Sequence, residues 1–190
     1  MGREIGAGHD RPGAARADNV VMSQPRIRTR RVTDLDACVE ALRAVHETDG
    51  YPVNWPTDPR GWLSPSRLLQ AWVVAESGGA VAGHVAVHRR LTVASHTQTP
   101  SRHGELARLY VTPAARRRSL ATALVGQVRC WAAEHGYGLT LNVADERRSA
   151  AVAFYEATGW RHSHTTDADW TTSDGQPVKL RHYMLESRDA

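Results

Sequence analysis

The chain has 190 residues, 41% of them hydrophobic and 23% charged, which suffices for one domain with a hydrophobic core and is too short for two ordinary ones. Lys and Arg number 24 against 20 Asp and Glu, so the net charge of +4 permits an acidic partner without requiring one. No stretch approaches the about 18 consecutive apolar residues of a membrane span, and neither Cys38 nor Cys130 has a Cys or His at metal-ligand spacing. The sequence therefore predicts a cytoplasmic protein with no membrane segment, structural disulfide or metal site.

Hydrophobic periodicity divides the chain into a tail and one α/β domain. Residues 1–25 are rich in Gly, Ala, Arg and Asp and predict a disordered tail, whereas residues 26–187 carry the periodic runs of a folded domain. In chain order these predict a strand over 26–32, a helix over 33–50, a short helix over 65–70, strands over 71–76, 80–89 and 105–111, a helix from 116 to 136, a strand over 139–143, a helix over 148–158, and strands over about 160–166 and 178–185. That order is typical of a mixed sheet.

The cluster Arg116, Arg117 and Arg118 stands at the start of the helix that runs to Gly136. Cations there normally destabilise a helix, because this end carries the positive pole of the macrodipole. Free backbone N–H groups at a helix start bind phosphate, and arginine forks add charge-assisted hydrogen bonds to it. The cluster therefore indicates a polyphosphate ligand. A solvated basic face and a nucleic-acid site are the alternatives, although the cluster lacks interleaved aromatic residues.

The segment RLYVTPAARRRSLATALV, residues 108–125, resembles the cofactor-binding motif of the GNAT superfamily of N-acetyltransferases. In that motif Gln or Arg is followed by two residues, Gly, one residue, and Gly or Ala; here Arg116, Ser119 and Ala121 fill those places. The segment AVAFYEATGW, residues 151–160, resembles the family's late motif. The resemblance covers about residues 26–187 and implies an α/β fold with a mixed, mostly antiparallel sheet of about seven strands flanked by about four helices.

The resemblance implies acetyl-CoA as acyl donor, a primary amine of a small molecule or peptide as acceptor, and direct transfer in a ternary complex. The cofactor-binding residues that it implies are Leu109, Tyr110, Val111, Arg116, Arg117, Arg118, Ser119, Leu120, Ala121, Thr122, Asn142 and Arg148. Backbone amides of residues 109–111 would serve as oxyanion donors. Ser119 replaces the family's glycine and Arg148 replaces a frequent asparagine, and both departures favour the alternative of a non-catalytic acyl-CoA-binding regulatory domain.

Two side chains are candidates for proton transfer. Glu105 lies eleven residues before Arg116, the spacing at which histone-modifying members of the family place their general-base glutamate. Tyr155 belongs to the FY pair that, in the family, often directs its tyrosine at the cofactor sulfur. We therefore expect Glu105 to accept the amine proton and Tyr155 to protonate the departing thiolate. A solvated glutamate and a core tyrosine are the structural alternatives.

Residues 46–63 lie between the first strand and the hairpin, the region where the family that the chain resembles builds its acceptor wall. It combines aromatic residues with carboxylates, which would suit a cationic amine; the candidates are Glu47, Asp49, Tyr51 and Trp55. The alternative is that the tryptophans simply pin the loop to the domain. The pairs His84/His88 and His162/His164 each share a strand face, and without an evident third ligand we expect surface or core histidines. The resemblance also implies a homodimer that pairs through the last strands.

Overall fold

The computed structural model describes residues 26–90, 102–144, 150–172 and 174–185. The predicted tail and Arg148 lie outside the described residues. The strands of the described chain are β1 Arg26–Thr29, β2 Leu68–Ala75, β3 Val81–Arg89, β4 His103–Val111, β5 Gly138–Ala144, β6 Trp160–Thr171 and β7 Pro177–Leu185. The α-helices are α1 Leu35–Asp49, α2 Pro59–Leu63, α3 Leu120–His135 and α4 Ala150–Ala157.

The described strands form one sheet of seven strands in the order β1-β2-β3-β4-β5-β7-β6. The β4–β5 pair is parallel, and the other neighbours are antiparallel. The predicted mixed, mostly antiparallel sheet of about seven strands with about four helices is confirmed. A parallel pair requires a crossover connection, which α3 supplies between β4 and β5.

The β4–β5 pair separates before β4 ends. Cα partners run from His103↔Gly138 to Leu106↔Leu141, whereas β4 continues to Val111 along β3 alone. Residues 107–111 of β4 therefore have no partner in β5, and a gap opens between these two central strands. The gap lies at the carboxyl end of β4, directly before the turn into α3.

Each face of the sheet carries its own apolar cluster. On one face, α3 and α4 pack through residues such as Leu124, Val128 and Tyr155. On the other, α1 and α2 pack through Leu42 and Leu63, both fully buried. Since the gap between β4 and β5 passes through the sheet, it connects the two faces.

A bulge interrupts β4 beside the gap. His84 pairs with Tyr110 but Ala86 pairs with Ala107, so β4 holds an extra residue, and Arg108 takes a φ of 56°. His84 is fully buried; its Nδ1–H donates to the Arg108 carbonyl over 2.9 Å, while Arg30 Nη1 lies 3.0 Å from Nε2. The imidazole therefore holds the bulge closed in its neutral form, and burial lowers its pKa to about 3.

Two predicted elements differ from the structure. The short helix expected over 65–70 is wrong, because β2 begins at Leu68, and the helix of this region is α2 instead. Its N-terminal cap is Asp58, whose carboxylate accepts from the Gly61 N–H over 2.9 Å, and Pro59 occupies its first turn. The arginine cluster lies in the turn before α3, which begins at Leu120 and ends at the left-handed Gly136.

Candidate active site

The turn before α3 forms a cradle with exposed arginines. Ser119 is the N-cap residue and adopts left-handed angles, φ 55° and ψ 18°, with no side-chain capping hydrogen bond. The first N–H groups of a helix lack intrahelical acceptors, so those of α3 face the cradle. A cavity of about 340 Å³ adjoins them; its lining is Val111, Ala115, Arg116, Arg117, Ser119, Leu120, Ala121, Thr122 and Phe154. Helix start, cavity and arginines together fit a phosphate-bearing ligand.

The arginines of the cradle differ in their partners. Arg116 forms a bidentate ion pair with Asp49, the last residue of α1, and Arg118 Nη1 lies 3.3 Å from Glu76 Oε1. Arg117 has no ion pair within the described part of the chain. Two of the charges are thus compensated internally, which weakens the case for a nucleic-acid site.

The gap between β4 and β5 exposes backbone donors next to the cradle. Thr112 N donates to Ala82 O of β3 over 2.9 Å. Because N–H groups alternate sides along a strand, the Val111 N–H points away from β3, toward the gap. By the same alternation the Tyr110 N–H faces β3, while its buried phenol donates to Cys38 O over 2.8 Å. Of the predicted oxyanion donors, Val111 is therefore the best placed.

Tyr155 lies in α4 on the cradle side of the gap. Its side chain is 7% exposed and packs in T-shaped geometry on Trp160, with ring centroids 5.9 Å apart. Burial raises its pKa, and the nearby phenol of Tyr51 raises it further. Tyr51 packs in the apolar cluster on the opposite face of the sheet, so the two phenols lie on either side of the gap. A phenol in this setting keeps its proton at neutral pH and can act as a hydrogen-bond donor.

Glu105 lies on the α1 and α2 side of β4, opposite the cradle. Its carboxylate is 3.7 Å from Arg67 Nη1 and accepts a 3.4 Å hydrogen bond from Asn142 Nδ2. Glu105 and Asn142 line a second cavity of about 180 Å³, together with Arg90, Thr140, Leu141 and His182. Asn142, predicted to bond the cofactor arm, is thus placed by the structure beside the candidate base, away from the cradle cavity.

The predicted acceptor residues divide between two places. Tyr51 lies at the gap, 6.2 Å from Trp62 between ring centroids and close to the Arg108 guanidinium. Burial raises the Tyr51 pKa, and Arg108 opposes that rise. Asp49 faces the cradle through Arg116. Asp49 and Tyr51, which are only two positions apart in the sequence, therefore lie on opposite sides of the site.

Two more of the predicted acceptor residues lie away from the gap. Trp55 packs on His46, with centroids 5.2 Å apart, and under Arg43, whose Cζ is 5.3 Å from the ring centroid. Glu47 is exposed on α1. The structure thus supports the reading in which Trp55 pins its loop to the domain.

Sequence reasoning missed two arginines on the α1 and α2 side of the gap. Arg108 stacks over Trp62, its Cζ 3.5 Å from the ring centroid. Arg67 reaches Glu105 from the start of β2. Nothing in the alternation of ELARLYV signals the bulge that turns Arg108 toward α2, so this residue could not be found from the sequence pattern.

Buried histidines account for one of the predicted pairs. His84 and His88 are both fully buried in β3. In the parts of the chain that the structure describes, no group of three or more His, Cys, Asp or Glu side chains is arranged to hold a metal ion. Over the same residues, no helix is both long and apolar enough to cross a bilayer.

Comparison with known proteins agrees with this geometry. The model of the acetyltransferase (GNAT) family matches residues 36–160, and the chain belongs to that family. No match was found among curated proteins.

Solved structures share the fold at low sequence identity. The ribosomal-protein-S18-alanine N-acetyltransferase from Escherichia coli is 18% identical, with a TM-score of 0.63 over 87% of this chain and 97% of that one. Arabidopsis thaliana NAA60 in complex with acetyl-CoA is 15% identical, with a TM-score of 0.67 over 84% and 97%. An N-acetyltransferase from Staphylococcus aureus Mu50 is 19% identical, with a TM-score of 0.65 over 86% and 99%.

Proposed function

We propose that this protein is an acetyl-CoA-dependent N-acetyltransferase that acts on a primary amine by direct attack in a ternary complex. The observation that carries the proposal is the gap between β4 and β5, with the arginine-lined cradle on one face of the sheet and the carboxylate of Glu105 on the other. Donor and acceptor would meet in this gap from opposite faces. Holding both reactants there supplies the proximity that direct transfer needs.

The cradle residues fit the donor. Acetyl-CoA, when bound, supplies an acetyl thioester and an anionic pyrophosphate. Arg117 and the N–H groups at the start of α3 would hold the phosphates, and Arg116 and Arg118 would exchange their internal carboxylates for them. The Val111 N–H would donate to the acyl oxygen as negative charge develops on it.

Glu105 and Tyr155 divide the proton transfers. Glu105 takes a proton from the attacking amine as the C–N bond forms. Tyr155 donates its hydroxyl proton toward the sulfur as the C–S bond breaks, and regains a proton from solvent. Because burial raises the pKa of Tyr155, the hydroxyl is fully protonated at neutral pH, so the donor is always present.

Calorimetric titration with acetyl-CoA and a thiol-release assay with an amine panel test this proposal. We expect micromolar binding that weakens in an Arg117→Ala variant, and turnover that falls in Glu105→Gln with binding of acetyl-CoA retained. Binding without turnover across the panel would favour the regulatory alternative, which the left-handed Ser119 in the cradle also favours. Absence of binding would exclude both.

A further inference from the structure

Polar atoms without partners converge on the acceptor side of the gap. Arg108 Nε and both ring nitrogens of His88 are buried and have no hydrogen-bond partner in the described part of the chain. His88 is directly opposite Glu105 in the β3–β4 pairing, so these groups belong to one place. Buried polar groups of native proteins are nearly always hydrogen-bonded to protein, water or ligand. The arrangement therefore calls for a polar partner from outside the chain.

Charge defines what that partner must be. Burial lowers the pKa of Arg108, and the hydrogen-bonded phenol of Tyr51 opposes that fall. Arg67 lowers the pKa further, and Glu105 raises it. One carboxylate thus faces two guanidinium groups. His88 contributes no charge, because burial lowers its pKa to about 3. An anion bound between the guanidinium groups would relieve their repulsion, whereas a further cation would add to it.

The guanidinium of Arg108 is held in an orientation that suits an oxyanion. It lies over the Trp62 ring with Cζ 3.5 Å from the centroid, which fixes its plane. Such a group presents its N–H edge to a carboxylate or phosphonate and binds it through two parallel hydrogen bonds. Arg43 over Trp55 offers a comparison: it lies over a ring at 5.3 Å but on the α1 surface, away from the gap.

We propose that the acceptor is a small molecule with an oxyanion close to its amine, as in an α-amino acid, and that Arg108 and Arg67 bind the oxyanion while the amine faces Glu105. The inference rests on the proposed acetyl transfer and narrows its acceptor. It replaces the expectation of a carboxylate-lined site for a purely cationic amine, because Asp49 is taken up by the cradle. Glu105 and Arg108 are three residues apart in β4, about 10 Å along the strand, a span that both long side chains shorten.

Matched acceptors test the proposal. The standard L-amino acids, their primary carboxamides and the corresponding amines without the carboxylate are compared for kcat/KM with saturating acetyl-CoA. We expect the amino acids to exceed the carboxamides by about ten-fold or more, the value of a charge-assisted hydrogen-bond pair. α-Aminophosphonates in the same panel distinguish a phosphonate-type oxyanion from a carboxylate. Equal kcat/KM for acid, amide and amine would overturn the proposal.

Substitutions locate the preference. Arg108→Met keeps a side chain against Trp62 and should bring the ratio of acid to amide close to one, whereas the control Arg43→Met should leave it unchanged. Should Arg108→Met fail to fold, Arg67→Gln at a half-exposed position gives the same comparison, with a smaller expected loss. An unchanged ratio in the folded variants would overturn the assignment.

Ligand-induced thermal shifts separate this inference from the proposed function. In the presence of CoA, amino acids should raise Tm and carboxamides should not, and Arg108→Met should abolish the difference. Carboxylate-dependent shifts without turnover would support the site and contradict the acetyltransferase activity. Turnover of amines without a carboxylate preference would support the acetyltransferase activity and contradict the oxyanion site. Absence of both the thermal shift and the carboxylate preference would also contradict the oxyanion site.

Discussion

Substitution of Ser119 should change stability and donor binding together. The residue holds φ 55° and ψ 18° at the start of α3, where its side chain makes no capping hydrogen bond. A residue with a Cβ is disfavoured in this region by about 1–2 kcal/mol, so glycine relieves that strain in the folded state. The greater conformational freedom of glycine in the unfolded chain offsets about 0.5–1 kcal/mol of this gain. We expect Ser119→Gly to raise the free energy of unfolding by about 0.5–1 kcal/mol, or Tm by about 1–4 °C. Urea and thermal unfolding measure both quantities.

The same substitution should tighten donor binding. Ser119 lines the cradle cavity, and removal of its side chain lets a pyrophosphate approach the backbone N–H groups of α3 more closely. We expect the calorimetric Kd for acetyl-CoA to fall by about three- to ten-fold, equivalent to about 0.6–1.4 kcal/mol. Weaker binding by Ser119→Gly would show that the hydroxyl itself donates to the ligand, and a lower Tm would refute the strain argument.

Two control variants separate strain from contact. Ser119→Ala retains Cβ and the positive φ and loses the hydroxyl, so it should gain neither stability nor affinity. Arg117→Gly relieves the same kind of strain, at φ 59°, but removes a cation from the cradle. It should therefore gain stability, as Ser119→Gly does, but lose affinity for acetyl-CoA, whereas Ser119→Gly should gain it.

Three further substitutions or conditions give sharp outcomes. Tyr155→Phe should depress kcat more than acetyl-CoA affinity, and equal losses in steady-state and binding assays would contradict a proton donor. Asp49→Asn frees its cradle arginine and should lower the Kd for acetyl-CoA about two- to five-fold at low salt, unlike the control Asp36→Asn on the same helix. Burial holds the pKa of His84 and His88 at about 3, so the unfolded chain binds protons first on acidification. As the pH falls from about 6 to about 3, the free energy of unfolding measured by urea titration should thus decrease by about 1.4 kcal/mol per pH unit for each histidine, and a flat profile would contradict this.

The cradle could be predicted from sequence because its determinants are local. A strand, a proline turn, arginines and an apolar helical stripe follow each other within residues 105–136, and each has a direct structural consequence. The left-handed angles of Ser119 explain why glycine suits this position. The motif indicates a glycine here, but only the structure gives the backbone angles. Sequence reasoning therefore reaches the features that depend on neighbours in the chain, while the ligand of the cradle stays a prediction.

The acceptor side depends on contacts that no local pattern contains. The Asp49–Arg116 ion pair joins residues 67 positions apart in the chain. From the sequence alone, Asp49 is predicted to bind the acceptor together with the aromatic residues that follow it. The left-handed Gly50 ends α1 between them, so Asp49 faces the cradle and Tyr51 faces the gap. Helix α2 shows a different limit: Asp58 and Pro59 are ordinary N-terminal signals, but five residues are too few to produce a period.

The arginines on the two sides of the gap differ in how far their charges are compensated. In the cradle, Arg116 and Arg118 have carboxylate partners at the protein surface, so an incoming anion replaces existing pairs and the net gain is limited. On the acceptor side, Arg67 and Arg108 share Glu105, and burial makes each uncompensated charge more costly. A given anion should therefore gain more beside Arg108 than in the cradle, whose cavity of about 340 Å³ admits a larger ligand. Under the two proposals, the larger cavity favours a polyphosphate in the cradle, and the weaker charge compensation favours a small oxyanion beside Arg108.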